Sequence, residues 1–140
     1  ACPDVDLAIT TTQRVIDLDH EDVDCAIRHG AGQWGGLRFR LLFRETLIPV
    51  AAPGVAEEGA RDWRTVRARS RFHDWPLWWR ATGQAGEPPD RGIVVENRAQ
   101  ALEAALAGAG VVLTDWRYVE APIASGRLIA LGPVSDLAEG

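Results

Sequence analysis

Residues 92–114 constrain the fold of this chain more than any other stretch. They combine a predicted strand at 92–96, a helix, and a second predicted strand at 111–114. Asn97 and Gln100 have the spacing of a capping box, which fixes where the helix begins. The second strand is apolar at three successive positions, as is typical of strands buried on both faces of a parallel sheet. This β-α-β unit predicts an open α/β sheet with helices packed on its faces.

Further strands and helices are predicted on both sides of this unit from apolar periodicity and turn residues. The other predicted strands span 4–10, 24–28, 37–43, 46–52, 69–73 and 127–131. The other predicted helices span 13–18 and 57–66, or begin at a capping Asp74 and a capping Asp115. Trp75, Trp78 and Trp79 share a helical spacing, so we expect them in the core. The unit before residue 30 has two strands and one helix, too few for an independent lobe, so we expect it to be incomplete.

The glycine-rich bend between residues 30 and 36 allows two interpretations. Gly30 to Gly35 match the G-x-G-x-x-G pattern of dinucleotide-binding loops, but that fingerprint needs a helix directly afterwards. Residues 37–43 favour a strand, so we interpret the glycines as a flexible bend between two lobes. Trp34 in this bend could close over a ligand, but packing within the bend is the favoured interpretation.

Charge and composition argue against nucleic-acid binding and membrane insertion by this chain. Its 140 residues carry a net charge of −5 at pH 7 and no basic block. Proteins bind nucleic acids largely by neutralising phosphates, so we expect no DNA or RNA contact from the chain itself. No apolar run approaches the roughly 20 residues of a membrane helix, and the N-terminus lacks a secretory signal pattern. We therefore expect a soluble, cytoplasmic protein.

The residue types that usually carry catalysis or metal binding are scattered along the chain. Cys2 and Cys25 lack metal-ligand spacing, and the three histidines are far apart in the sequence. Cys25 lies in an apolar strand pattern, so we expect it to be a small buried residue. The serines lack the surroundings of a nucleophile elbow. We therefore predict no catalytic centre, no metal site and no cofactor, and interpret the chain as a protein that is not an enzyme.

One group of polar residues follows predicted strands at their C-terminal ends. Open α/β sheets bind ligands in the crevice outside these ends. Helix amides that begin there favour an anion such as a carboxylate. Each residue alone could simply be a helix cap, but the grouping favours a binding site for a small anionic molecule. The predicted site residues are Thr10, Thr11, His29, Glu96, Asn97 and Thr114.

The chain resembles the effector-binding domain of LysR-type transcriptional regulators, in the branch that contains the glycine cleavage activator and AmpR. The likeness is carried by an ordered series of segments that covers nearly the whole chain. These segments are 3–7, 22–30, 34–37, 42–50, 73–78, 104–111 and 124–128.

The resemblance implies an α/β fold of the type 2 periplasmic-binding-protein kind, with two subdomains joined by crossover strands. Residues 1–36 would form a partial first subdomain and crossover, 37–131 the second subdomain, and 132–140 a return segment into the first. The first subdomain is expected to be incomplete. The strand end at Thr10 and Thr11, the crossover at His29, and the helix start at 96–98 would line the effector cleft.

The function implied by the resemblance is sensing of a small effector to modulate transcription. DNA would be contacted only through a helix-turn-helix domain that this chain lacks, and the parent protein would be a homo-oligomer. The alternative is a solute-binding protein of the same fold in transport. An enzyme on an α/β scaffold is the third possibility, and the scattered catalytic residue types argue against it.

Overall fold

A computed structural model describes residues 4–30, 32, 34–56 and 62–136 of the chain. The chain divides into two compact units, Ala1–Arg40 and Leu41–Gly140. The helices and strands described below all lie in the second unit.

The described part of the second unit forms a six-stranded mixed sheet with three helices. The strands are β1 Thr46–Ala51, β2 Thr65–Ala68, β3 Gly92–Val95, β4 Val111–Asp115, β5 Ile129–Ala130 and β6 Ser135–Asp136. The helices are α1 Asp74–Ala81, α2 Arg98–Leu106 and α3 Trp116–Ala124. The strand order is β3-β2-β4-β1-β5, with β6 also paired to β1. β2 is parallel to β3 and β4, whereas β1 is antiparallel to its neighbours β4, β5 and β6.

The sheet separates two apolar cores, because successive side chains of a strand point to opposite faces. One core contains Leu47, Ala51, Trp63, Trp75, Trp78, Trp79, Val111 and Leu113. The other core contains Ile48, Val50, Val66, Ala101, Ala105, Val112, Val119 and Leu128. Both cores take residues from β1 and β4, which confirms that β4 is buried on its two faces. The tryptophans of α1 therefore pack on one face of the sheet, and α2 and α3 pack on the other.

The tryptophans of α1 lie in the core, as their spacing predicts. Trp78 is fully buried and meets Trp75 edge to face, with the ring centroids 6.3 Å apart. Its indole Nε1 donates a hydrogen bond to the carbonyl of Pro133 at 3.1 Å, so the polar atom of the ring is satisfied inside the core. Gly132 lies against the same ring, where an added Cβ would approach Trp78 within 2.9 Å. This contact and strand β6 attach residues 132–136 to the second unit.

Two of the three helix caps predicted in the second unit are confirmed. The side chain of Asn97 accepts from the backbone N–H of Gln100, and the side chain of Gln100 accepts from the backbone N–H of Asn97. α2 therefore begins with a complete capping box. The side chain of Asp115 accepts from the N–H of Arg117 and caps α3. The third prediction is wrong. His73 is the N-cap of α1, and Asp74 lies inside the helix with its carboxylate directed to two arginines.

The predicted strand at 69–73 is also wrong, because β2 ends at Ala68 and a 3-10 turn, Arg69–Arg71, follows it. Residues 65 and 66 of the predicted helix at 57–66 lie in β2, and residues 57–61 lie outside the described residues. β2 is held between two parallel neighbours, and that pairing outweighs its polar composition. Its one long polar side chain, Arg67, donates to the carbonyl of Asp90 at 2.6 Å.

The predicted strands and helix of the first unit do not form. The described residues of Ala1–Arg40 contain turns but neither helix nor strand. Val5, Leu7 and Ile9, the predicted inward face of a strand, are 65%, 78% and 77% exposed. Cys25 is exposed as well, contrary to the expectation that it is buried. A segment with alternating apolar residues forms a stable strand only when other strands pair with it and apolar side chains pack on it. Two strands and one helix supply too few of these partners.

The predicted strand at 37–43 is wrong for a related reason. Its described residues form no strand, and the first strand begins only at Thr46. Phe39 and Leu41 are exposed instead. β-forming composition therefore does not make a strand where the backbone has no ladder partner.

Candidate functional site

One edge of the second unit's sheet brings several charged and polar side chains together. β2, β3 and β4 run parallel, so their C-terminal ends meet at this edge. β1 runs the opposite way and therefore begins there, at Thr46. The residues at and just after the C-terminal ends of β2, β3 and β4, together with Glu45 before β1, form what we call the polar edge. Three of the predicted site residues lie on it, namely Glu96, Asn97 and Thr114.

Glu96 and Asn97 connect the end of β3 to the first turn of α2. The N–H of Glu96 donates to the side chain of Gln100 at 3.0 Å, and its carbonyl accepts from the N–H of Ser70 at 3.1 Å. The carboxylate of Glu96 lies 3.4 Å from Arg69, but both side chains are well exposed, so the pair contributes little. Asn97 fixes the helix start through its 3.0 Å contact with the N–H of Gln100. The backbone at this turn is therefore held in one conformation.

Thr114 is the most deeply buried of the predicted site residues, with 1% of its surface exposed. It pairs with Ile48 of β1 and points to the same face of the sheet as Val112. Its hydroxyl has no hydrogen-bond partner in the described part of the chain. A buried polar group left in this state costs about 1–3 kcal/mol, so a contact made to it would stabilise the bound form.

A network of four charged side chains at the polar edge was missed by the sequence analysis. Glu45 lies before β1, Arg71 ends the 3-10 turn, Asp74 begins α1, and Arg98 begins α2. Arg71 donates from Nε to both oxygens of Asp74 at 3.1 Å and also binds Glu45. Arg98 donates to Asp74 at 2.5 Å and likewise binds Glu45. Each arginine thus contacts both carboxylates.

This ion-pair network is largely withdrawn from solvent. The side chains of Glu45, Arg71 and Arg98 are 14–16% exposed and that of Asp74 is 7% exposed. Burial alone lowers the pKa of Arg98, but hydrogen bonding to Glu45 and the charge of Asp74 outweigh burial and raise the pKa above its ordinary value. Among the described residues, two cations and two anions balance, which is what makes the burial of these four charges tolerable. The only sequence signal for it was the i, i+3 spacing of Arg71 and Asp74.

A second polar contact joins β4 to the start of β1. The buried carboxylate of Asp115 accepts from the N–H of Thr46 and from the N–H of Arg117, both at 2.9 Å. The guanidinium of Arg117 also binds this carboxylate at 3.1 Å and lies 4.4 Å from the centre of the Phe43 ring. Asp115 is therefore both the cap of α3 and the anchor of β1.

The remaining predicted site residues lie in the first unit. Thr10 and Thr11 lie in an exposed segment without regular structure, and His29 is exposed near the bend. Within the bend, Trp34 packs edge to face against Phe39 with the ring centroids 5.8 Å apart. The structure thus brings Glu96, Asn97 and Thr114 to one edge, while the other three belong to a separate unit.

The sequence of the whole chain places it among known proteins. The family model for the LysR substrate binding domain matches residues 1–137. The chain belongs to this family. The resemblance inferred from the ordered sequence segments is confirmed.

The relatives of this LysR substrate-binding domain are transcriptional activators. It is 34% identical over 132 residues to the transcriptional activator AmpR of Rhodobacter capsulatus, covering 91% of the chain and 45% of that protein. It is 31% identical over 144 aligned positions to the glycine cleavage system transcriptional activator of Escherichia coli K12, covering 98% of the chain and 47% of that protein. The chain therefore spans somewhat less than half the length of these relatives.

Solved structures give the same assignment. The AmpR effector binding domain of Citrobacter freundii matches with a TM-score of 0.78 and 27% identity, covering 96% of this chain and 70% of that one. The effector domain of Pseudomonas aeruginosa AmpR matches with a TM-score of 0.71 and 30% identity, covering 86% of this chain and 62% of that one. The predicted α/β fold of the type 2 periplasmic-binding-protein kind is confirmed.

These findings also define the class of function. The chain is a substrate-binding domain of the kind found in transcriptional regulators, and its relatives are regulators rather than enzymes. LysR-type regulators bind small-molecule effectors and contact DNA through a separate domain. No helix among the described residues is long and apolar enough to cross a membrane.

Proposed function

We propose that this chain is the sensory domain of a LysR-type regulator and binds a small anionic effector at the polar edge. The observation that carries the proposal is the buried hydroxyl of Thr114, which has no partner among the described residues and lies on the same edge as the capped first turn of α2. Glu96 and Asn97 are the other proposed contacts in the second unit. Thr10, Thr11 and His29 are the proposed contacts in the first unit.

The chemistry of the second unit's residues supports an anion. The N-terminus of α2 lies at the polar edge, and a helix N-terminus carries a partial positive charge that favours a carboxylate or phosphate. Thr114 adds a hydroxyl that can donate to or accept from the ligand. Glu96 contributes a negative charge beside this turn, which would favour an effector that also carries an amino or hydroxyl group. An amino acid or a hydroxylated carboxylate fits these three features.

In the parent regulator the effector would act by binding one arrangement of the sensory domain more tightly than another. DNA would be contacted by a helix-turn-helix domain outside this chain, in a cytoplasmic homo-oligomer. The relatives described above are transcriptional activators, which favours this function over solute binding in transport.

A ligand screen by thermal unfolding tests the proposal. The probes are the twenty amino acids, C2 to C6 mono- and dicarboxylates, their hydroxy acids, and sugar phosphates. A compound present at 100 times its Kd would stabilise the chain by about 2.7 kcal/mol, which raises the unfolding temperature by several degrees. If no compound in the panel raises it, the anionic effector proposal is refuted.

Variants then locate the site of any compound that stabilises the chain. Thr114→Val keeps the shape of the side chain and removes the hydroxyl, and Thr11→Val does the same in the first unit. Each is expected to weaken binding about 5- to 30-fold, the effect of losing a polar contact. Ser125→Ala is the matched control, because its exposed hydroxyl donates to the carbonyl of Pro122, away from the polar edge. Unchanged affinity in both threonine variants would disprove the site.

A further inference from the structure

The first residues of the second unit are held by side chains of the polar edge. The second unit begins at Leu41 and β1 begins at Thr46, so residues 41–45 lead into β1; we call them the connector. Two connector side chains are anchored to the rest of the second unit. Glu45 is bound by Arg71 and Arg98, and the Phe43 ring lies against the Arg117 guanidinium.

Two side chains that hold Glu45 or Thr46 directly follow a proposed effector contact in the sequence. Asn97 is followed directly by Arg98, the first residue of α2, which binds Glu45. Thr114 is followed directly by Asp115, whose carboxylate holds the N–H of Thr46 at the start of β1. A displacement of the backbone at either effector contact therefore reaches Glu45 or Thr46 through one side chain.

We propose that Arg98 and Glu45 are positioning residues that couple the first turn of α2 to the connector. The coupling rests on the proposed function for its biological role, since Asn97 in that turn is a proposed effector contact. A buried ion pair cannot be stretched without leaving a charge unpaired away from water, which is strongly unfavourable. When the first turn of α2 moves, the Glu45 carboxylate therefore moves with Arg98 or loses one of its two cations. Either response alters the connector and the start of β1.

Hydrogen exchange of the Thr46 amide tests the coupling without any effector. Asn97→Ala removes the cap of α2 and loosens its first turn. We expect the Thr46 amide to exchange about fivefold faster, measured relative to the amides of β4, which report global opening. The same substitution made on an Arg98→Gln or a Glu45→Gln background is expected to change Thr46 exchange less than twofold. Two backgrounds are used because one of them could fail to fold.

The matched control is Thr82→Ala, which removes the 2.8 Å hydrogen bond from a hydroxyl to the Trp78 carbonyl at the far end of α1. This variant is expected to leave Thr46 exchange, relative to β4, unchanged. The proposal is overturned if Asn97→Ala does not accelerate Thr46 exchange. It is equally overturned if the acceleration persists when Arg98 or Glu45 is replaced. Neither result depends on the ligand screen, so the two proposals fail separately.

Discussion

Replacing Arg98 by methionine removes one of the two cations of the ion-pair network. Methionine keeps an unbranched side chain and much of its apolar packing. Glu45 and Asp74 would then share Arg71, and one negative charge would remain buried without a full partner. The network is at most 16% exposed, so solvent screening relieves little of this cost. Removing one partner of a buried pair costs about 3–5 kcal/mol, and we expect a loss of unfolding free energy in that range.

A double-mutant cycle separates the charge imbalance from simple loss of packing. Glu45→Gln alone should destabilise the domain, because it leaves two arginines facing the single carboxylate of Asp74. Combining it with Arg98→Met restores the balance, with Arg71 and Asp74 still 3.1 Å apart. We therefore expect the double variant to lose at least about 1 kcal/mol less than the sum of the single variants.

Urea unfolding of the four proteins, followed by tryptophan fluorescence, measures the cycle. The exposed pair Arg69 and Glu96, 3.4 Å apart at the same edge, is the matched control and should couple by about 0.2–1 kcal/mol or less. Additive effects within about 0.5 kcal/mol at Arg98 and Glu45 would refute the view of the network as one balanced unit.

Two further predictions concern other parts of the chain. Gly92→Ala should strongly destabilise the domain, because φ is +139° and an added Cβ would lie 1.9 Å from the Thr65 carbonyl oxygen. Gly126→Ala is also at positive φ but in open space, so it should lower the free energy of unfolding less. Urea unfolding of both variants makes the comparison. In the first unit, the hydrogen bond from Arg14 holds the pKa of Glu21 at about 2. NMR titration should show the Glu21 carboxyl protonating near that pH, and Arg14→Gln should raise its pKa towards 4.5; an unchanged midpoint would contradict the pairing. Because the pKa of Glu21 is lowered, the contact with Arg14 stabilises the protein above the ordinary pKa. This stabilisation is lost as the pH falls towards 2.

The predictable part of the fold is the part whose local signals agree. The strand, capping box, helix and apolar strand of residues 92–114 were predicted with nearly the bounds that the structure shows. Asn97 and Gln100 specify the start of α2 within four residues of sequence. The three tryptophans of α1 were placed correctly for the same reason, because helical spacing and burial follow from the local sequence.

The first unit and β2 show where local signals fail. Val5, Leu7 and Ile9 alternate as a strand does, yet they remain exposed because no strand pairs with them in the described residues. β2 is the opposite case, since a segment whose first two residues were predicted as helix becomes a strand between two parallel neighbours. Pairing depends on segments distant in the chain, so it cannot be read from either segment alone.

The pairing of Glu45 with Arg98 in the ion-pair network had no sequence signal for the same physical reason. Glu45 precedes its partner Arg98 by 53 residues, and neither residue has a local pattern that marks it as buried. From sequence alone, a charged residue is expected to be exposed to solvent unless an oppositely charged partner lies near it in the sequence. At this edge the partners arrive from the ends of β2 and β3 and from the start of β1. The residues that sequence reasoning could propose, Asn97 and Thr114, are those that end or begin an element. The residues that connect those positions to the rest of the chain become visible only once the sheet has brought its strands together.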